Sequence, residues 1–480
     1  NEVIIDAESG KRITYRKLQE EVLKMAAFLK RKGYGPGTVI TAHMYNSAEV
    51  AIVLLAAQYL GCVICLVDPL FKAGELPYYI NDSHTQCLIT YLSKEELQLD
   101  PGSCLDIINA TEVEQVCNRP VSPEIWNQAM YQYQKDELAM LLYTSGSTST
   151  PKGVMLSTGC FYTFLEKSNA SMYRYTPKDR LLCYVPFSHA YGSVSLLIPA
   201  LAGKAAIVFL RSFQPQRVAA TISSENITHI FGVPTHYQQM LRYESIFTDL
   251  RKLKAAFCAA APLSYDTALS WHKNIGIYLD EGYGITEATT LIATRMSMLP
   301  EPSGNVGFPP KNILTVEAVD EEGHTCEDGI IGEIRLTGPG LMLGYLNRPQ
   351  ETTEKLRDGW LYTGDLGYRR SDGSIVICGR KTEFINVAGL KISPIEVEAA
   401  LNAHPEVVDS AAVGVDDSVY GEIVKAFVVR KDNADVSERD LIKYVAGKLA
   451  NFKVPKYIAF LDEFPRNNIG KIDKKALKKL

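Results

Sequence analysis

The chain has 480 residues, 46 % of them apolar and 22 % charged, with a formal net charge of −5. That length allows about three average domains, or one large domain and a smaller one. The acidic balance argues against nucleic acid as a partner, since phosphate binding shows as a basic excess, and no apolar run reaches the roughly 20 residues of a membrane span.

The first 210 residues alternate helix-like and strand-like segments. Leu18, Val22, Met25 and Leu29 recur at helical spacing, and Gly33 is placed to end that helix. A strand is predicted from Val39 to Met44, a helix from Ala48 to Leu60 and a strand from Cys62 to Val67. Strands alternating with helices predict a parallel-rich sheet covered by helices. From about Ile313 short strands with turn signals predict a small antiparallel subdomain. The boundary is expected in GRKTE, with a large domain over 1–380 and a small α+β domain over 385–480. In that last part helices are predicted for Pro394 to Leu401 and Ser437 to Leu449. Its strands are predicted for Val407 to Val415, Ile423 to Arg430 and Tyr457 to Leu461. The fold class is α/β, with a small α+β domain at the C-terminal end.

The ten cysteines mostly stand in apolar stretches, such as Cys62 and Cys65 in GCVICLVD, Cys183 in LLCYVP and Cys378 in IVICGR. A thiol there packs as a small hydrophobe. No second pair follows the one CxxC at zinc spacing, so a reducing, cytoplasmic setting is expected.

The stretch LLYTSGSTSTPKGVMLST (141–158) runs from an apolar strand into Ser, Thr and Gly. Small residues let backbone wrap phosphate, Thr144, Ser145, Gly146, Ser147 and Thr148 supply donors, and Lys152 adds a positive charge. A flexible polar loop would look similar. It is not a Walker A loop, which needs GK[ST] opening a helix.

The stretch resembles the YTSGTTGxPKG signature of the adenylate-forming superfamily: acyl-CoA synthetases, adenylation domains of nonribosomal peptide synthetases, and luciferases. Ser149 stands where that family usually has Gly. The remaining family signatures follow in order: PFSHAYGS (186–193), CAAAPL (258–263), YGITE (283–287) and GEIRLTGPGLMLGY (332–345). After them come YTGDLG (362–367), GRKTEFINVAGLKISPIEVE (379–398) and PRNNIGKIDKKAL (465–477).

The resemblance implies ATP and Mg²⁺ as cofactors and assigns roles residue by residue. Lys471 would contact the acid's carboxylate and the bridging oxygen, while Thr286 and Glu287 would face Mg²⁺ and phosphate. Lys152 and His189 complete the implied catalytic set, His189 as a gate to the acyl pocket. Tyr283 and Gly284, with Ala260, Ala261 and Pro262, would enclose adenine. Asp365 and Arg380 would hold the ribose. Thr382 is the expected pivot of a domain rotation, after which Gly389 would line the thiol's approach. Asn386 stands where many members have Lys.

Amino-acid-activating members carry an Asp shortly after the second motif, whereas PFSHAYGSVSLL has no acid. An unpaired buried ammonium would be costly. The substrate is therefore expected to be a small aryl or aliphatic carboxylic acid, in a pocket lined by His189, Ala190, Tyr191, Gly232, Val233, Pro234 and the segment Ala288 to Ile292. Tyr191 would act either as a donor to the acid or as plain wall. The acyl acceptor is coenzyme A or, alternatively, the phosphopantetheine of a carrier protein. The start at Asn1 without Met keeps open an origin in a longer polypeptide.

Overall fold

The computed structural model describes residues 1–97, 105–120, 129–144, 150–298, 304–388, 390–431, 434–466 and 471–480. Helix Tyr15–Arg31 starts where the Thr14 hydroxyl accepts from the Lys17 amide at 3.2 Å, a side-chain cap for an otherwise unpaired donor. It buries Leu18, Met25 and Leu29, and Gly33 beyond its end takes φ +92°, a left-handed turn that glycine makes without a Cβ clash. Helix Ala48–Tyr59 is apolar almost all round, which suits a helix buried within a larger core.

Strands Val39–His43, Val63–Val67 and Cys87–Thr90 are buried at every residue, the pattern of parallel strands covered on both faces. They form a sheet of seven strands with Asp106–Asn109, Leu138–Thr144, Lys152–Ser157 and Gly344–Tyr345, the last two antiparallel at one edge. A second sheet runs parallel through Leu279–Tyr283, Ala255–Ala259, His229–Gly232, Arg180–Cys183, Ala206–Phe209 and Glu2–Asp6, with antiparallel edges at Ala293–Arg295 and Arg12–Thr14. One continuous apolar core joins the two sheets. The parallel-rich architecture is as expected. The split into two sheets, with Glu2–Asp6 crossing to the second, was not, because strand order leaves no mark in periodicity.

The antiparallel subdomain is present, built on Thr315–Val319, Gly332–Thr337, Trp360–Arg369 and Ile375–Arg380. Past Arg380 a separate core gathers Ile385, Val397, Leu401, Ala426, Val428 and Leu441. Its elements are Pro394–Asn402, Val407–Asp417, Gly421–Arg430, Glu438–Ala446 and Tyr457–Phe460, all within a few residues of the sequence expectation. A hairpin of Ile385–Val387 and Leu390–Ile392 was missed; three-residue strands are too short to alternate visibly.

All nine described cysteines are free, seven of them buried, and burial pushes the Cys62 and Cys65 thiols up to about 12. Among the described residues no helix is long and apolar enough to cross a membrane.

Phe427 is 1 % exposed, packed in a cluster with Ala411, Val413 and Leu477. Phe427→Ala should destabilise the C-terminal part by about 3–5 kcal/mol, read from urea unfolding. A loss below about 1 kcal/mol would show that this core is not closely packed.

Candidate active site

The Ser/Thr/Gly run joins two antiparallel strands whose register sets Thr144 opposite Lys152. Ser145, Gly146, Ser147, Thr148 and Ser149 lie outside the described residues. A strand, not a helix, follows the run, which separates it structurally from a Walker A loop. The Lys152 ammonium pairs with Glu351 of helix Pro349–Lys355 and lies 5.3 Å from the centre of the Tyr345 ring. The Tyr345 hydroxyl in turn donates to Glu287 Oε1 at 2.7 Å. Tyr345 thus links two predicted site residues, a role the sequence reading missed although Tyr345 closes a motif it quoted.

Glu287 sits in a tight turn directly after strand Leu279–Tyr283. A Cβ on Gly284 would fall 1.0 Å from the Thr290 carbonyl oxygen, so no side chain fits there. The turn Thr286–Ala288 continues into Thr289 and Thr290 at φ +50° and +66°. Left-handed backbone at β-branched residues costs on the order of 1–3 kcal/mol each, so surrounding contacts must hold it. Thr289 Oγ1 donates to the Gly340 carbonyl at 2.7 Å, and Ser195 Oγ to Thr290 Oγ1 at 2.9 Å. The Met342 amide donates to the Glu287 carbonyl at 2.8 Å, and Lys167 Nζ to the Ala288 carbonyl at 2.9 Å. Burial pushes the Lys167 amine down to about 8.

The hydroxyl of buried Thr286 and the carboxylate of half-buried Glu287 make an all-oxygen donor pair suited to a hard cation. Among the described residues no group of three or more His, Cys, Asp or Glu side chains could hold a metal ion. A Mg²⁺ here would complete its shell from nucleotide phosphates and water, as that ion prefers.

Asp365 and Arg380 face each other across neighbouring antiparallel strands. Arg380 Nε lies 2.7 Å from Asp365 Oδ1, and the Tyr283 hydroxyl donates to Asp365 Oδ2. Burial raises the Asp365 carboxyl, while Arg380 and Tyr283 pull it down. Lys471, from the far end of the chain, lies within the electrostatic reach of this group. Burial and the Arg380 charge push its amine down to about 8, against Asp365 and Glu383.

His189 joins the same locus. Its Nδ1 accepts from the Tyr191 amide at 3.1 Å, which leaves the proton on Nε2. Burial, then the Lys471 charge, push it down to about 4, so the ring is neutral near pH 7. A neutral ring suits a gate or hydrogen-bond donor and not a general acid.

The loop Ala260, Ala261 and Pro262 comes alongside Tyr283 because Ala259 pairs with Gly282. The amide of Leu263 reaches Glu281 Oε1 at 3.4 Å, and Glu281 forms a buried pair with Arg295 at 2.8 Å. Ala190, Tyr191, Gly232, Val233 and Pro234 are all buried. The Tyr191 hydroxyl is directed at the carbonyls of Phe257 (3.0 Å) and Gly232 (3.3 Å). Its one proton is taken by backbone, so of the two sequence readings the plain wall is the one the geometry favours. Gly389 lies outside the described residues.

Asn46 was missed by the sequence reading. Its amide donates to the Val185 carbonyl at 2.8 Å and its Oδ1 accepts from the Phe187 amide at 2.9 Å, clamping both sides of Pro186 just ahead of His189. The available signal was a lone Asn in MYNSAEV, where it reads as a helix-start residue.

With the geometry in place, the family follows. The AMP-binding enzyme model matches residues 1–346, and the AMP-binding enzyme C-terminal domain model matches 396–471. The chain belongs to this family, and by class it is an AMP-forming acid–thiol ligase. A long-chain-fatty-acid–CoA ligase of Bacillus subtilis is 30 % identical over 98 % of this chain and 90 % of its own. A feruloyl-CoA synthase of an Amycolatopsis species is 31 % identical over 96 % of this chain and 93 % of its own. The crystal structure of ATP-bound MatB from Rhodopseudomonas palustris superposes with a TM-score of 0.92 at 28 % identity, covering 100 % of this chain and 95 % of that one.

Asn46→Leu should leave the buried Phe187 amide unpaired and the Val185 carbonyl with only the weak Cys183 thiol donor, at about 1–3 kcal/mol, and lower kcat/KM for the acid about tenfold through misplacement of the His189 segment. Denaturant unfolding and steady-state kinetics together check this. Unchanged stability would refute the clamp.

Proposed function

We propose that the protein activates an aryl or aliphatic carboxylic acid, not an α-amino acid, as its acyl-AMP and then passes the acyl group to coenzyme A. The observation that carries the reading is the Asp365–Arg380–Tyr283 cluster beside the Glu287 turn, with the Lys471 amine coupled by charge to Arg380 and Asp365 and to His189. Carboxylate and ATP are both anions, so their reaction needs cations placed between them.

In the first step an oxygen of the acid attacks the α-phosphorus, the bond to the β-bridging oxygen breaks, and pyrophosphate leaves. Lys471 contacts the acid and the α-phosphate region. Thr286 and Glu287 hold Mg²⁺, which neutralises phosphate charge when bound. Lys152 exchanges Glu351 for phosphate together with the loop Thr144 to Thr148. Asp365 accepts from the ribose hydroxyls, Arg380 donates to the same sugar, and Tyr283 offers its ring to adenine beside Ala260, Ala261, Pro262 and Gly284. In the second step the thiol sulfur attacks the acyl carbon, AMP departs, and the thiol proton passes to solvent.

The domain division is 1–380 and 385–480 with a hinge over 381–384 and Gly389 facing the thiol after rotation. It is supported by the two separate apolar cores on either side of that segment. His189, Ala190, Tyr191, Gly232, Val233 and Pro234 bring no carboxylate that could pair with an α-ammonium, which supports an acid without one. Coenzyme A is favoured as acceptor by its presence in the names of the curated relatives. Free, buried thiols fit a cytoplasmic setting.

The deciding assay is incubation with ATP, Mg²⁺, coenzyme A and a pooled set of aryl, short-chain and medium-chain acids, followed by mass spectrometry. Acyl-CoA of one mass is expected. Acyl-AMP without acyl-CoA would transfer the acceptor role to a carrier protein, and neither product would overturn the substrate class.

Lys471→Ala should abolish adenylate formation and spare transfer from supplied acyl-AMP; equal loss of both steps would refute its role. Because the Lys471 amine is pushed down to about 8, its cationic form dominates below that pH and is lost above it. The adenylation rate of the free enzyme should therefore fall as pH rises through about 8, with no matching limb in the transfer step.

A further inference from the structure

We propose that Lys167 is a positioning residue for adenylate formation, holding from within the large domain the strained turn that presents Glu287. The proposal rests on the reading of Thr286 and Glu287 as cation and phosphate contacts. Lys167 lies on helix Thr158–Ser171 and has no solvent exposure. Among the described residues its ammonium donates to one acceptor, the Ala288 carbonyl at 2.9 Å, and pairs with no carboxylate.

Burying an ammonium without a counter-charge is costly. A leucine or methionine would fill the same space without that cost, so what lysine adds here is the donor aimed at Ala288. The turn it reaches has need of one. Thr289 and Thr290 hold left-handed backbone that their branched side chains disfavour, and Gly284 is pressed so closely on the Thr290 carbonyl that the turn cannot relax toward it. The Met342 amide fixes the Glu287 carbonyl, and Lys167 fixes the next one, at Ala288. Those two carbonyls belong to the consecutive peptides on either side of Ala288, the residue that follows Glu287 in the turn. Without Lys167 the Ala288 carbonyl loses its donor and the Ala288–Thr289 peptide keeps only the bond from the Thr289 amide to Thr286, so the strained turn is held less firmly, and a carboxylate displaced by even about 1 Å loses much of its hold on the reacting charge. The helix bearing Lys167 follows directly on strand Lys152–Ser157, so one continuous segment carries both the phosphate-loop lysine and the buried support of the facing carboxylate.

The test uses the whole enzyme with Lys167→Met, which removes the donor, Lys167→Gln, which keeps a neutral one, and Glu287→Gln as reference. Hydrogen exchange is followed over residues 286–292, whose amides close the turn. Pyrophosphate release is titrated with Mg²⁺, and acyl transfer from supplied acyl-AMP is measured separately. In Lys167→Met, exchange over 286–292 should accelerate about tenfold, kcat for pyrophosphate release should fall about tenfold, and the half-saturating Mg²⁺ concentration should rise. Acyl transfer should stay within about twofold, and Lys167→Gln should recover most of the loss.

Unchanged exchange over this segment, or equal loss of both half-reactions with no recovery in Lys167→Gln, overturns the proposal. Should Lys167→Met not fold, Lys167→Gln decides alone: a wild-type Mg²⁺ requirement supports the donor role, and loss of both steps refutes it. If Glu287→Gln leaves the Mg²⁺ requirement unchanged while Lys167→Met still loosens the turn, the reading of Glu287 falls and the clamp stands.

Discussion

The ion pair between Asp365 and Arg380 is the contact on which the rest of the site depends. It exists because two antiparallel strands set these residues opposite each other, with Arg380 the last residue of its strand. Asp365 is 3 % exposed, a burial that a carboxylate sustains only with partners. Arg380 supplies one and the Tyr283 hydroxyl the other. The same pair fixes the end of the strand that leads into the Glu287 turn, and its net field reaches Lys471, where Arg380 repels and Asp365 attracts. Adenine, ribose and catalytic lysine readings therefore share one anchor.

Around it the protein keeps charges where burial works against them. Lys471 and Lys167 are both pushed down to about 8, and His189 to about 4. Glu281 and Arg295 form a buried pair beneath the adenine loop. Such groups cluster where function needs them, because a packed hydrophobic substitute would often be as stable. Structural pairs shift titration too, so the argument gains force from geometry: Lys167, Glu287, Tyr345 and Lys152 form one chain of contacts through the Ala288 turn to the phosphate loop.

The fold was legible in the sequence where periodicity and punctuation agree. The helix beginning at Tyr15, the all-buried parallel strands and the antiparallel subdomain could be read from apolar spacing and from glycine. Most of the candidate site residues could be named because they sit in contiguous motifs. What escaped was contact between distant segments. Nothing local in MYNSAEV shows that Asn46 will clamp Val185 and Phe187, and nothing in FLEKSNAS shows that Lys167 will turn inward instead of to solvent. A lysine on a helix reads as surface by default, and only the packing of that helix against the Ala288 turn overrides the default. Tyr191 shows the converse: its hydroxyl looked available to substrate until two backbone carbonyls were seen to claim it.

The joint between the two parts of the chain is made of contacts of a different kind. Lys391 meets Glu321 at 2.8 Å with both side chains well exposed, and Lys381 meets Glu333 at 3.0 Å on the surface. Exposed pairs of this sort are screened by salt and contribute little. The Lys381 amide bonds to the Gly364 carbonyl at 2.9 Å, and the Ser393 hydroxyl to the Cys378 carbonyl. No apolar core spans the segment from Lys381 to Phe384, since one core ends at Ile375 and another begins at Ile385. The proposed lid, which would deliver Lys471 for one reaction and withdraw it for the next, would be served by such a seam: each side has its own packed core, and these contacts across it are polar. On the proposed reading, the cations that draw two anions together would be divided between a fixed set, Lys152 and Arg380, and one carried on the removable part, Lys471. That division would let a single cleft bind ATP tightly and still release AMP once the acyl group has moved.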